Sequence, residues 1–148
     1  MAKTSLTSSL PGSKIAKAMI KSVRETVKYA YAPYSRIKVA AVLYCSNGET
    51  YTGVNIENGS LSLTMCAERI ALYKALSSGE KDFPLMLIYS PQIDFIRPCG
   101  ACLQVLAEHD YEIVIATMNS KSELKFLPLA TLIQPFKLNY YPDQKTRR

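Results

Sequence analysis

Three of the four cysteines in this chain are grouped in two short segments, and this grouping limits what the chain can fold into. Residues 64–69 read Thr-Met-Cys-Ala-Glu-Arg, and residues 98–102 read Pro-Cys-Gly-Ala-Cys. If Cys99 and Cys102 open a helix, their side chains share a face at about 5–6 Å between Cβ atoms. A suitable fold must then bring Cys66 to the same point, where the three thiols bind one metal ion.

The predicted metal site has three protein ligands, although zinc in proteins normally takes four ligands. A fourth position left to a water molecule is typical of catalytic zinc, whereas a structural site is closed by protein ligands. His109 is the only histidine, and on a continuous helix it lies about 10 Å beyond Cys102, too far to bind the same ion. Cys45 is interpreted as a small buried hydrophobic residue. We therefore expect catalytic zinc, and a structural zinc knuckle is the disfavoured alternative.

Glu68 follows Cys66 by two residues and is the candidate for acid and base catalysis. A carboxylate at that spacing can stand beside a metal without binding it and can carry protons to and from a bound water. The pattern Cys-Ala-Glu, followed about thirty residues later by Pro-Cys-x-x-Cys, resembles the signature of the zinc-dependent cytidine deaminases. The form with three cysteine ligands resembles the branch of that family that acts on free nucleosides.

The resemblance implies hydrolytic deamination of cytidine and 2′-deoxycytidine to uridine and 2′-deoxyuridine, with release of ammonia, as a step of pyrimidine salvage. It implies one Zn²⁺ per subunit, which lowers the pKa of a bound water, and Glu68 as the group that moves the protons. It also implies that Arg69 hydrogen-bonds the ligand sulfurs and that the backbone of Ala67 contacts the departing amine. Arg69 would offset the net negative charge of three thiolates around one zinc ion.

Residues 55–58 read Asn-Ile-Glu-Asn and match a segment with which the resembled family holds the ribose. By that resemblance Asn55 and Glu57 hydrogen-bond the sugar hydroxyls, to which an amide and a carboxylate are suited. A carboxylate at this point favours an uncharged nucleoside over a nucleotide. The resemblance also implies a homotetramer, the usual state of the short members with three cysteine ligands. Phe136 corresponds to a C-terminal Phe that, in the tetrameric members, reaches the site of a neighbouring subunit.

Four positions depart from the family pattern, and two of them keep other substrates open. Ala40 stands where the family usually has Gly, and Leu103 stands where an arginine is common. Ile37 stands where the family usually has Phe, and Leu61 stands where an aromatic residue is common, so stacking around the substrate is weaker. One alternative is a deaminase of a cytosine nucleoside analogue such as blasticidin S. Another is an RNA or DNA cytosine deaminase, since the formal net charge is +6, although a solvated surface is favoured and no nucleic acid partner is expected. The intact Glu68 disfavours an inactive zinc scaffold.

Composition is consistent with one domain of ordinary size. With 48% hydrophobic and 20% charged residues, the chain can bury a core. No apolar run approaches the length that spans a bilayer, about 20 residues, so no membrane partner is expected. Cys-x-x-Cys without an apolar N-terminal segment favours a reducing, cytoplasmic location. We predict a flexible leader at residues 1–13, a deaminase domain at 14–136 and a polar tail at 137–148.

The hydrophobic pattern predicts alternating helices and strands. Apolar residues recur every four positions after Lys14, which is typical of an amphipathic helix, here ending before Pro33. Asn47-Gly48 predicts a hairpin with a type I′ turn. We expect an α/β fold with three layers, α/β/α, around a five-stranded mixed sheet, and the resemblance implies the cytidine deaminase fold. The predicted strands are 37–44, 51–57, 85–90, 113–118 and 123–127, and the later helices are 66–78 and 98–109 with a last helical turn at 128–133.

Overall fold

The computed structural model describes residues 12–134, which form three α-helices and five β-strands. The predictions for residues 1–11 and 135–148, Phe136 among them, lie outside the described residues. The helices are α1 (Ser13–Thr26), α2 (Ala67–Ser77) and α3 (Gly100–His109). The strands are β1 (Ala40–Tyr44), β2 (Thr50–Val54), β3 (Leu85–Tyr89), β4 (Val114–Met118) and β5 (Leu124–Pro128), and there are single 3-10 turns at Val27–Tyr29, Leu61–Leu63 and Leu129–Thr131.

The five strands form one mixed sheet in the order β2-β1-β3-β4-β5. β3 and β4 are parallel, whereas the other neighbouring pairs are antiparallel. A parallel pair needs a long crossover between its strands, and α3 supplies it. The predicted five-stranded mixed sheet is therefore confirmed.

Helices cover both faces of the sheet because the central strands are apolar on both faces. In β1, Ala41 and Leu43 belong to the core cluster under α2 and α3, whereas Ala40 and Val42 belong to the cluster under α1. Residues of β3 and β4 alternate between the same two clusters. Strands buried on both faces have continuous apolar sequences. The predicted three-layer arrangement is confirmed, with α2 and α3 on one face and α1 on the other among the described residues.

The first predicted strand, 37–44, is longer than β1. Its first part is held by a side chain in place of a neighbouring strand, because the amide of Asn55 bonds to the backbone on both sides of residue 38. The N–H of Val39 donates to Asn55 Oδ1 at 2.8 Å, and Asn55 Nδ2 donates to the carbonyl of Ile37 at 2.8 Å. Regular strand pairing therefore begins only at Ala40.

The predicted hairpin at Asn47-Gly48 is present, but its turn type is wrong. Gly48 has a φ of 95°, whereas Asn47 is not among the described residues with positive φ, so the turn is not type I′. The N–H of Gly48 donates to the carbonyl of Cys45 at 2.9 Å. Asn47 Oδ1 accepts the N–H of Glu49 at 3.0 Å, and this local bond favours the longer loop.

Other predicted boundaries shift by a few residues. The predicted strand 51–57 ends at Val54, and the first helix ends at Thr26 and continues as a 3-10 turn. The residue that caps α1 is Gly12, and Ser13, predicted as the end of the leader, is the first helical residue. None of the described helices has the length and apolar character needed to cross a membrane.

Candidate active site

The two cysteine segments meet because β2 and β3 end at the same edge of the sheet. Ala40, at the start of β1, pairs with Val54 on one side and with Tyr89 on the other, and these are the last residues of β2 and β3. The loops that follow lead into α2 and α3. Cys66 and Cys99 are the N-cap residues of these two helices. The predicted helices 66–78 and 98–109 thus begin one and two residues later than expected.

The sulfur atoms of Cys66, Cys99 and Cys102 form a triangle. The Sγ atoms of Cys66 and Cys99 are 3.8 Å apart, those of Cys99 and Cys102 are 3.6 Å apart, and all three lie within 4.8 Å of one another. Tetrahedral zinc with Zn–S bonds of about 2.3 Å places its sulfurs about 3.8 Å apart. The three thiolates therefore fit one zinc ion with little movement. Cys45 is buried and His109 is exposed, and neither belongs to this group of ligands.

Hydrogen bonds and a positive charge favour the thiolate form of Cys66. The neighbouring thiol of Cys102 and the guanidinium of Arg69 lower the pKa of Cys66 to about 5, and a helix N-terminus acts in the same direction. The same pairing raises the pKa of Cys102, so Cys66 ionises before Cys102. Arg69 donates to Cys66 Sγ at 3.6 Å and to the carbonyl of Thr64 at 3.2 Å. Within residues 12–134 its buried Nε has no partner, which leaves a further donor close to the sulfurs.

Glu68 lies in the first turn of α2 and is 5% exposed. Burial raises the pKa of its carboxyl to about 7, and the negative charge of Cys66 acts in the same direction. Near pH 7 a group with such a pKa both accepts and releases a proton readily. The structure therefore places beside the sulfur triangle a carboxyl suited to proton transfer.

Gly53 is a site residue that no sequence argument identified. A Cβ at Gly53 would lie 2.2 Å from the carbonyl oxygen of Ala67 and 2.5 Å from the backbone nitrogen of Ala71. Because both neighbours are backbone atoms of α2, only glycine allows the first turns of this helix to lie so close to β2. That approach positions Cys66 and Glu68. The available signal was a glycine in the interior of a strand, which often marks a close backbone approach.

The two predicted ribose ligands lie in the loop that borders the site, and both are bonded within the chain. Asn55 is buried, and its amide holds the segment around residue 38, as described above. Glu57 Oε2 accepts the N–H groups of Tyr34 and Ser35 at 2.9 and 3.2 Å, and Oε1 accepts the Ser35 hydroxyl. The bond from the Ser35 hydroxyl lowers the pKa of Glu57. Ala67 is buried at the start of α2.

The fold and the sulfur triangle together define a zinc-dependent deaminase domain. A family model described as the cytidine and deoxycytidylate deaminase zinc-binding region matches residues 13–118. The chain belongs to this family, as its cysteine and glutamate pattern predicted.

Known proteins of the family resemble the chain along much of its length. It is 45% identical to a protein of Dictyostelium discoideum described as "Probable cytidine deaminase", over 64% of this chain and 66% of that one. It is 44% identical to the cytidine deaminase of Halalkalibacterium halodurans, over 61% of this chain and 68% of that one. The matches thus span about two thirds of the length of these two relatives.

The chain also resembles a solved cytidine deaminase structure and a relative that is named for a different substrate. The structure of cytidine deaminase from Burkholderia pseudomallei is 33% identical with a TM-score of 0.74, over 79% of this chain and 94% of that one. The blasticidin-S deaminase of Bacillus cereus is 33% identical over 56% of this chain and 66% of that one. The second match covers less of the chain than the others.

Proposed function

We propose that this protein hydrolyses the exocyclic amine of cytidine and 2′-deoxycytidine, giving uridine or 2′-deoxyuridine and ammonia. The observation that carries the proposal is the buried Glu68 beside three sulfurs spaced for one zinc ion. Membership of the deaminase family and the named activity of its relatives support the choice of reaction.

Each residue of the site has a separate part in the proposed reaction. Cys66, Cys99 and Cys102 hold zinc, which when bound activates water for attack at neutral pH. Glu68 takes a proton from the attacking water and returns protons to ring N3 and to the departing amine. Its burial supports this part, because a carboxyl that ionises near neutrality can act in both directions. Arg69 stabilises the thiolate of Cys66 and offsets the excess negative charge.

Nucleoside binding is proposed to depend on the loop that contains Asn55 and Glu57. Glu57 keeps two carboxylate oxygens at the border of the site and would accept bonds from the ribose hydroxyls. Asn55 holds the backbone of Ile37 and Val39 in place through both ends of its amide, and the second N–H of Nδ2 would donate to a sugar hydroxyl. The backbone of Ala67 would contact the amine. The negative charge of Glu57 disfavours a nucleotide phosphate.

We further propose a homotetramer in which Phe136 completes the site of a neighbouring subunit. The hydroxyl of Tyr111 donates to the carbonyl of Ile133 at 3.1 Å, so the last described residues lie beside the C-terminal end of α3. Cys99 lies at the other end of this helix, about 15 Å away. The described part of the chain therefore ends at the opposite end of α3 from its own Cys99.

Exposed apolar side chains near the site support the same assembly. Leu61 and Leu63 are 73% and 66% exposed, and Tyr34 and Ile56 are also exposed. They belong to, or contact, the loop that leads to Cys66. Such a grouping on the surface is typical of an interaction surface. A cytoplasmic location and a role in pyrimidine salvage complete the proposal, and the free thiols of the site agree with a reducing compartment.

The first experiment measures ammonia release from cytidine by zinc-loaded protein, with Glu68→Gln run in parallel. We expect release by the wild-type protein, and a loss of at least about a hundredfold in the variant with its zinc content unchanged. A loss of zinc in Glu68→Gln as large as that in Cys99→Ser would contradict the assignment of the cysteines as ligands and of Glu68 as the proton carrier. No release by the fully loaded wild-type protein would overturn the substrate assignment.

Subunit mixing tests the role of Phe136. We expect Phe136→Ala and Glu68→Gln to be impaired when each is prepared alone. Mixed tetramers should regain activity, because a site with an intact Glu68 can receive Phe136 from a neighbouring Glu68→Gln subunit. Mixed assemblies that form without any recovery would contradict the contribution between subunits.

A blasticidin S deaminase is the second candidate function. The resemblance to the Bacillus cereus enzyme and the absence of aromatic side chains at Ile37 and Leu61 favour it. Ammonia release from blasticidin S and from cytidine, compared at equal concentrations, separates the two. Faster turnover of blasticidin S would make this the main activity.

A further inference from the structure

The outer face of α1 carries a row of positive charges. Lys14, Lys17, Lys21 and Arg24 follow one another at intervals of three and four residues, so they fall within a sector of about 80° around the helix. The opposite side of α1 is buried against the sheet. The row therefore faces away from the sheet, and Glu25 is the only acidic residue of the helix.

The row continues past the helix toward the edge of the catalytic site. Lys28 follows in the 3-10 turn, so the five cations extend over about 21 Å. Its ammonium lies 4.9 Å from the ring centre of Tyr29, and this ring is 69% exposed. Beyond it, Tyr31 donates its N–H to the carbonyl of Asn55 at 3.0 Å, which joins the end of the row to the loop bordering the site.

Few of these charges are neutralised within the protein. Among the described residues neither Lys14 nor Lys17 makes a hydrogen bond or an ion pair, and Lys21 pairs with Glu25 at 3.8 Å with both side chains more than half exposed. Exposed pairs of this kind contribute little. Arg24 donates to Ser120 and Ser122 and is fixed in place. The sequence alone favours a solvated surface for these cations. The structure adds that they share one face and that the lysines among them remain available.

We propose that this row, defined as Lys14, Lys17, Lys21, Arg24 and Lys28, binds the phosphate backbone of single-stranded nucleic acid. Closely spaced cations on one face attract a chain of phosphates, and an exposed aromatic ring at the end of the row offers a surface for base stacking. A membrane surface fits less well, because the large apolar residues of α1 pack against the sheet and the face that carries the cations has none to enter the lipid. The proposal is separate from nucleoside deamination and does not require it.

Fluorescence polarisation with labelled oligouridine tests the binding. Uracil has no exocyclic amine, so the probe cannot be deaminated during the measurement. We expect the wild-type protein to bind at low salt. If four lysines contact phosphates, a plot of log affinity against log salt concentration should have a slope of about −3. Lys14→Glu with Lys17→Glu should weaken binding at about 50 mM salt at least about tenfold and roughly halve that slope. The control is Lys74→Glu with Lys81→Glu, which changes the net charge equally outside α1. Because Lys74 Nζ donates to the carbonyl of Thr52 at 2.7 Å, urea unfolding checks that the control variant remains folded.

Each outcome decides the proposal. Strong loss in the α1 variant, little loss in the control and unchanged cytidine deamination in both would support it. No binding by the wild-type protein at low salt would overturn it, as would equal losses in the two variants. Vesicles with anionic headgroups serve as a second probe. Binding to them and not to oligouridine would overturn the proposal in favour of a membrane surface.

Discussion

The two edges of the sheet differ in how fully their polar groups are bonded. At the catalytic edge Cys66 has a pKa lowered to about 5, and the buried Nε of Arg69 has no partner among the described residues. The opposite edge is the one that holds the turn between β1 and β2. There Asn47 Nδ2 donates to both carboxylate oxygens of Glu80, at 2.9 and 3.0 Å. A protein keeps incompletely bonded groups where chemistry needs them and stabilises the fold elsewhere. Substitutions at the two edges should therefore affect different properties.

The carboxylate of Asp110, also at the opposite edge, has both of its oxygens hydrogen-bonded. Its Oδ2 accepts the N–H of Phe83 at 3.1 Å, and its Oδ1 accepts the N–H of Glu112 at 3.0 Å. It thereby connects the end of α3 with the segment before β3. Both oxygens bond to the backbone, so this carboxylate stabilises a chain connection and is distant from the sulfur triangle.

The largest effect on activity is expected from Cys99→Ser. A serine hydroxyl is a poor zinc ligand, so the variant should lose stoichiometric zinc and essentially all deaminase activity. Cys45→Ser is the control at the opposite edge, where the buried thiol only packs. It should retain zinc and turnover while losing about 1–3 kcal/mol of stability, because a hydroxyl is buried without a prepared partner. Metal analysis and urea unfolding measure both properties, and zinc loss in Cys45→Ser would contradict the separation of the two edges.

Gly53→Ala is expected to have the next largest effect. The added methyl group meets the backbone of α2, so the helix must move away from β2 and carry Cys66 and Glu68 with it. We expect at least about a tenfold loss of kcat, with about 1–3 kcal/mol of destabilisation. With Co²⁺ in place of zinc, the absorption bands of the site should shift, which overall destabilisation alone would not cause.

Gly100→Ala is the matched control for Gly53. A Cβ at Gly100 meets nothing within 4 Å, although this residue lies between two ligands. We expect unchanged activity and a stability equal to or slightly above that of the wild-type protein, because alanine favours the helix by about 1 kcal/mol. Equal losses in both variants would show that any methyl group near the ligands is harmful, and that the approach of α2 to β2 is not the cause.

Asp110→Ala should lower stability without changing turnover. The N–H groups of Phe83 and Glu112 lose their acceptor, at a cost of about 1–3 kcal/mol for those that stay buried. Asp82→Ala, at an exposed carboxylate nearby, should change stability by less than about 0.5 kcal/mol. Chemical unfolding at neutral pH measures the difference. A fall in kcat at denaturant concentrations too low to unfold the variant would mean that residues at this edge also control the catalytic site.

Much of the fold and of the metal centre could be predicted because their signals are local. Continuous apolar runs predicted strands buried on both faces, and Cys99 and Cys102 share a helix face by spacing alone. The parts that were missed depend on partners distant in sequence. The contact of Gly53 with α2 has no local counterpart, and the bonds of Asn55 to the backbone near residue 38 shorten β1 in a way that propensity does not show. The turn at Asn47 is an exception, because the bond that sets its type is local. The side chain of Asn47 accepts the N–H of Glu49, two residues further on, and the Asn-Gly pair alone does not show this bond.

The smallest effect is the pH dependence that Asp110 contributes at the edge away from the metal. Burial raises the pKa of its carboxyl above that of the unfolded chain, which is about 3.9. The stabilisation from this group is therefore present below pH about 3.9 and is lost as the pH rises through the folded pKa. Relative to Asp110→Asn, which does not titrate, the wild-type protein should lose stability as the pH rises through that range. Urea unfolding of both proteins across the range measures the difference, in which any zinc loss common to both cancels. A difference that does not change with pH, or that changes with the opposite sign, would show that the two backbone N–H groups outweigh burial at this carboxyl.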